Sequence, residues 1–334
     1  PGTPSPTGGK LGNGCDYYTG DYVPTGQSVA DGIHVNLPPA GTSGSALANY
    51  DGPGVYCQNA SNPNSPPNFV PWDGSMMPSG LYVLYGVGMQ LPSSSATMTY
   101  TCQNSGDTYS STTGTCNNAQ GKPQADAAWG QCSGGGVNAT GGVTIYVMPS
   151  PASGTNQVQL TPYGGTGSTC FAITAPQYTQ IEPSSCLLSC VPLWTAPTNF
   201  SSNYAGVSGL TLASDLEGMA IWVSGSMSSS VSDSIGPNAS IAINGAVYDP
   251  ARTLYVGATS SGVAGTSVTT LTGTGSTLNA SGATNCSQVE ASQVTVKGPA
   301  NVDLAFCTYT VGNTSYTYIR NPDYNYLGSV ELVQ

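Results

Sequence analysis

Hydrolysis on a β scaffold needs two or three carboxylates held close enough to share acid and base roles. Only Asp215, Glu217, Asp233 and Asp249 approach a cluster in this chain. Asp215 and Glu217 share one turn at a strand edge, and Asp249 stands directly before Pro250. All four read more simply as turn residues, because Asp caps its own backbone where the chain reverses. A Ser–His–Asp triad would have to use His34, the single histidine. Gly32-Ile-His-Val-Asn36 reads as a short strand, not as the sharp turn of a nucleophile elbow. Asp16, Asp21 and Asp31 carry oxygen ligands suited to Ca²⁺, yet no calcium-loop spacing joins them. We therefore expect no catalytic residue, no metal site and no cofactor.

The cysteines carry a clearer message. There are ten: Cys15, Cys57, Cys102, Cys116, Cys132, Cys170, Cys186, Cys190, Cys286 and Cys307. Zinc sites need close Cys pairs with histidine or further pairs nearby. The one close pair is Cys186-Leu-Leu-Ser-Cys190. An even set without metal partners reads as five disulfides formed in an oxidising compartment. Local pairs such as Cys15–Cys57 and Cys286–Cys307 are expected. Seven sequons, at Asn59, Asn138, Asn199, Asn238, Asn279, Asn285 and Asn313, are glycan acceptors if the host glycosylates.

Charge excludes several partner classes. Charged residues are 6% of the chain, against about 25% in ordinary soluble domains. Five Lys and Arg face sixteen Asp and Glu, for a net charge of −11. Nucleic acid and anionic membrane surfaces both need clustered cations, so neither is a partner. With few ion pairs to lose, the fold is expected to tolerate acid. The longest apolar runs, such as Leu81-Tyr-Val-Leu-Tyr85, have strand length, so no membrane span is expected. The twenty tyrosines and four tryptophans suit strand-face packing better than a carbohydrate platform.

The elements that would position these residues are strands. Short runs rich in β-branched and aromatic residues recur from Gly80 onward, bounded by Gly, Pro, Asn and Ser. They include 80–86, 96–101, 142–148, 219–224, 240–245, 253–257, 293–297, 302–306 and 329–333. No segment sustains a helical period. The reading is all-β: a β-solenoid, resembling a parallel β-helix, with loop-rich, disulfide-stapled insertions, or alternatively β-sandwich domains. Residues 1–14 form an extended Pro/Gly arm, and this start reads as a trimmed or mature end. Residues 15–75 form an irregular stapled segment. Residues 76–334 form the β-rich domain, with a loop insertion at about 150–215.

Several phrases resemble one family. Met77-Pro-Ser-Gly-Leu-Tyr-Val-Leu-Tyr-Gly-Val-Gly-Met89 is similar to the PGVYVLxGGGL segment of TadG-like pilus-assembly proteins. Gly142-Val-Thr-Ile-Tyr-Val147, Leu216-Glu-Gly-Met-Ala-Ile-Trp222 and the stretch from Ser240 to Val256 resemble later strands of that family, in the same order. Asn285-Cys-Ser-Gln-Val-Glu-Ala-Ser-Gln-Val-Thr-Val296 and Val330-Glu-Leu-Val-Gln334 resemble its final segments. The resemblance covers about 77–150 and 216–334. It implies an exported protein associated with a pilus or the cell envelope, and it brings no catalytic residues.

The expectation is a secreted, extracellular structural or adhesive protein of the cell surface, and not an enzyme. Its partners would be copies of itself, pilus or envelope proteins, or surface carbohydrate. One alternative is a self-assembling, pilin-like filament subunit that uses strand addition by its N-terminal arm. A second is a polysaccharide-active β-helix enzyme.

Overall fold

The computed structural model describes short strands at 17–18 and 34–35, most of 54–175, and residues 219–273 and 288–304. It also describes a strand pair at 307–311 and 314–318. Among the described residues there is no α-helix, only a 3₁₀ turn at Tyr163–Gly165. None of their helices is long and apolar enough to cross a membrane. The described residues are almost entirely β.

The strands come in threes, and each pairs in parallel with its counterpart in the next three. One ladder contains Gly54–Cys57, Gly80–Tyr85, Val143–Met148, Met219–Val223 and the first part of Ala246–Val256. A second contains Asn68–Pro71, Gly88–Leu91, Val158–Pro162, Asp233–Ile235 and the last part of Ala246–Val256. Gln288–Val296 extends both ladders. The third runs through Ser75–Met76, Val137–Ala139, Thr169–Thr174, Ala239–Asn244, Thr269–Gly273 and Ala300–Leu304. Because Ala246–Val256 belongs to two ladders, the larger sheet runs along the first and returns along the second, nearly closed and barrel-like.

Side-chain alternation explains the arrangement. Strands present alternate residues to opposite faces, and the in-register pairing stacks inward residues into columns. One column is Tyr82, Ile145, Ile221 and Val247, all 5% exposed or less. Another is Val137, Phe171, Ile241 and Leu271. Each such side chain contributes about 1.5–3 kcal/mol by leaving water. The first ladder's Val143–Met148 is buried throughout, with Thr144 satisfied by donating to the Met219 carbonyl at 2.7 Å. The second ladder's Val158–Pro162 alternates buried and half-exposed, so its outer face meets solvent.

Residues 92–136 leave the second ladder and rejoin at the third. Within them Thr97–Cys102 pairs antiparallel with Ala128–Ser133. Met98 and Tyr100 pack on the outer face of the third ladder, against Ala172 and Ala242. The contact is close: a Cβ on Gly130 would lie 2.2 Å from the Ala242 methyl, so glycine is required there. Tyr100 donates to Thr272 Oγ1 at 2.8 Å. Two disulfides staple the insertion, Cys102–Cys116 within it and Cys132–Cys170 to the third ladder. Cys57 is disulfide-bonded as well, and no described cysteine is free. Cys15, Cys186, Cys190 and Cys286 lie outside the described residues, and of Cys307 only the strand backbone is described. Disulfides of this kind persist in oxidising compartments.

Replacing Cys102 and Cys116 together by Ala should therefore destabilise the insertion. The bridge closes a loop with a sequence separation of 14, and its loss should cost about 3 kcal/mol by loop entropy. Denaturant unfolding of oxidised wild type and the double variant measures the difference. Unchanged midpoints would remove the bridge from any stabilising role.

Two boundaries read from sequence differ from the structure. The ladders already include Gly54–Cys57, Asn68–Pro71 and Ser75–Met76, within the stretch read as irregular. The later insertion does not start at 150, since Val158–Pro162 and Thr169–Thr174 are ladder strands. In both places strands of two to six residues lie between Gly- and Pro-rich turns, too short to stand out before neighbours pair with them.

Candidate functional site

Two places concentrate polar groups. The first is inside the stack. Asp233 opens the strand Asp233–Ile235 and pairs with Leu254, an inward position. Asp249 pairs with Ala291, next to outward Tyr248, so it also points inward. Both carboxylates are 1% exposed. Between the two halves of Ala246–Val256 the register shifts at 249–253, and this bend turns Arg252 inward, also 1% exposed.

Arg252 Nη1 lies 3.3 Å from Asp233 Oδ1. Its Nε donates to the Ser228 carbonyl at 2.9 Å, and Nη1 donates to the Asn156 carbonyl. Asp233 Oδ1 accepts from the Val158 amide at 2.7 Å. The cluster thus joins two ladder strands to neighbouring turns. Neither oxygen of Asp249 meets a conventional donor among the described residues. Burial, then the charge of Asp233, pushes the Asp249 carboxyl up to about 8. Burial also raises Asp233, although Arg252 and the Val158 amide draw it down. Burial and the neighbouring charge both favour the protonated form of Asp249, while Arg252 and the Val158 amide favour the ionised form of Asp233. One protonated acid, one carboxylate and one guanidinium sum to zero, the state a dry interior tolerates.

A protonated acid beside an ionised one has the form of an acid–base pair. Here the adjoining cavity is only about 10 Å³, room for one water. A substrate would have to open the stack to reach it. This corrects the expectation for Asp249: it is no turn residue but an inward strand position, and Pro250 begins the bend after it. Arg252 was missed in the sequence. The available signal was a cation within an apolar strand run, Val247-Tyr-Asp-Pro-Ala-Arg-Thr-Leu254, in a chain with five Lys and Arg.

The second place is a groove on the outer face of the second ladder. An amide ladder forms one side: Asn68 Nδ2 donates to Gln90 Oε1 at 2.9 Å, and Gln90 Nε2 to Gln159 Oε1 at 2.7 Å. Gln159 Nε2 continues to Gln157 Oε1 at 2.6 Å and Ser260 Oγ at 3.1 Å. In-register pairing of Gln90 with Gln159 makes this possible. The groove, about 180 Å³, lies between this ladder and the turns bearing Thr161, Asn238, Thr259 and Ser260. No charged side chain lines it. Asn238 holds a left-handed φ of 61°, uncommon outside glycine and a mark of an over-determined local structure.

The other sequence candidates fall out as follows. His34 lies in the strand His34–Val35 beside Val70 and Pro71. Asp16, Asp21, Asp31, Asp215 and Glu217 lie outside the described residues. No group of three metal-ligating side chains occurs among the described residues. Of the sequons, Asn138 is buried and its amide both donates to and accepts from the Cys132 backbone. It is therefore withheld from modification in the folded chain. Asn238 is half-buried in the groove, and Asn59, Asn199, Asn279, Asn285 and Asn313 are outside the described residues. Several aromatics pack as expected: Tyr56, Phe69 and Tyr82 form a fully buried cluster with centroids 4.9–6.2 Å apart. No family model, no curated protein and no solved structure matches this chain.

Proposed function

We propose that this chain is an extracellular structural and adhesive protein of a pilus or cell envelope, built on a parallel β-solenoid and working by contact with other copies or envelope proteins. One observation carries the reading. The strands Gln288–Val296 and Ala300–Leu304 continue the inward columns with Val294, Val296 and Val302, which are 41%, 43% and 39% exposed. Their partners one layer back, Leu254, Val256 and Leu271, are 3% exposed or less. The described part of the stack therefore ends on interior-type residues and strand edges. Soluble monomers usually block such edges with charge, and this chain has little charge. The disulfides and the resemblance to TadG-like proteins support an exported setting.

Light scattering coupled to size exclusion, with negative-stain images, tests the reading. The intact protein should associate at high concentration, and Val294→Glu with Val302→Glu should abolish association while keeping a cooperative melt. A wild type that stays monomeric at every concentration, alone and in native extracts, overturns it.

A further inference from the structure

We propose that the groove over the second ladder binds a neutral sugar, one pyranose unit of a surface glycan. This rests on the adhesive reading above and names its ligand. The polar half of the lining is amides and hydroxyls, from Gln90, Gln159, Thr161, Asn238, Thr259 and Ser260, and Pro162 and Pro237 supply apolar surface. Such groups both donate and accept, matching the alternating needs of sugar hydroxyls. No cation lines the groove, so a uronate or sialate carboxylate would be desolvated without a counter-charge. Phosphates are excluded on the same ground. The volume of about 180 Å³ is below the roughly 300–1,000 Å³ of drug-sized sites, and it suits a single ring with the rest of the glycan running along the open face.

Preorganisation favours binding. The relay from Asn68 through Gln90 to Gln159 and Ser260 holds the groove's side in one orientation, so little order remains to be imposed by a ligand. The Asn238 amide and Thr161 hydroxyl, by contrast, make no hydrogen bond among the described residues. Asn238 is held beside the groove in a backbone conformation that glycine would adopt without strain.

The experiment titrates the intact protein, by saturation-transfer NMR and calorimetry, with maltohexaose, cellohexaose and mannohexaose, and with hexagalacturonic acid as the charged counterpart. At least one neutral oligosaccharide should bind saturably, and the galacturonate should not. Asn238→Gly keeps the left-handed backbone and removes only the amide. Thr161→Val keeps the shape and removes only the hydroxyl. Each should weaken binding about three- to tenfold, the effect of one hydrogen bond, with unchanged melting. The inference is overturned if no neutral oligosaccharide binds, if the galacturonate binds equally, or if both variants bind like wild type. Association state is followed in the same samples: lost sugar binding with association intact overturns only the groove, and the reverse overturns only the contact reading.

Discussion

Raising the pH from 4 to 9 should destabilise this protein by several kcal/mol, the reverse of ordinary acid denaturation. The cause is Asp249. Its carboxyl is pushed up to about 8 in the folded chain, whereas an unfolded Asp titrates near 3.9. Between these values the folded state holds a proton that the unfolded state has released. Stability then falls as pH rises. The contribution is fully present below about pH 4 and is lost as pH rises through about 8. A tenfold change in proton affinity is about 1.4 kcal/mol, so the effect over this span is several kcal/mol. Asp233, raised by burial as well, acts in the same direction. Denaturant unfolding at pH 4.5, 7 and 9 measures the slope. Asp249→Asn, which keeps a donor toward Asp233 but has no proton to lose, should flatten it. A wild-type profile that is level from pH 4.5 to 9 would show that the pair is not sharing a proton. The expected acid tolerance thus has a second source besides scarcity of ion pairs: the buried acids favour low pH.

Arg252→Met should be the most damaging single substitution in the described core. It leaves Asp233 ionised in a dry site and strips a donor from the Ser228 and Asn156 carbonyls. Breaking one side of a buried pair costs about 3–5 kcal/mol. Adding Asp233→Asn should restore a large part of this, because the amide oxygen can still accept from Val158 and no charge remains. A double-mutant cycle read by denaturant unfolding gives the coupling. Strict additivity of the two substitutions would mean that Arg252 and Asp233 do not interact in solution, and the assigned ion pair would fall.

The two predictions turn on residues that the sequence presents unequally. Asp233 and Asp249 are sixteen positions apart, each followed by a small or turn-forming residue, and their local surroundings resemble ordinary turns. Only the pairing of Ala246–Val256 with Asp233–Ile235 on one side and Gln288–Val296 on the other turns both inward and sets Arg252 against Asp233. A shift of one residue would send these side chains to the opposite face. The groove is similar: Asn68, Gln90 and Gln159 become one hydrogen-bonded relay because parallel pairing stacks positions 22 and 69 residues apart.

What the sequence determined by itself was set by local chemistry. Short β-branched and aromatic runs between Gly, Pro and Asn dictate strands without helices, since propensity and period act over a few residues. Ten cysteines without histidine partners read as disulfides, and the five described, Cys57, Cys102, Cys116, Cys132 and Cys170, are bonded. Scarce charge sets the expectation against polyanionic partners, because counterion release is a matter of composition. What tertiary structure decided was pairing: which strand stacks on which, where the first ladder strands begin, and which carboxylates meet. Those outcomes depend on contacts between residues tens of positions apart, whose free energy exists only once the layers have closed around their shared core.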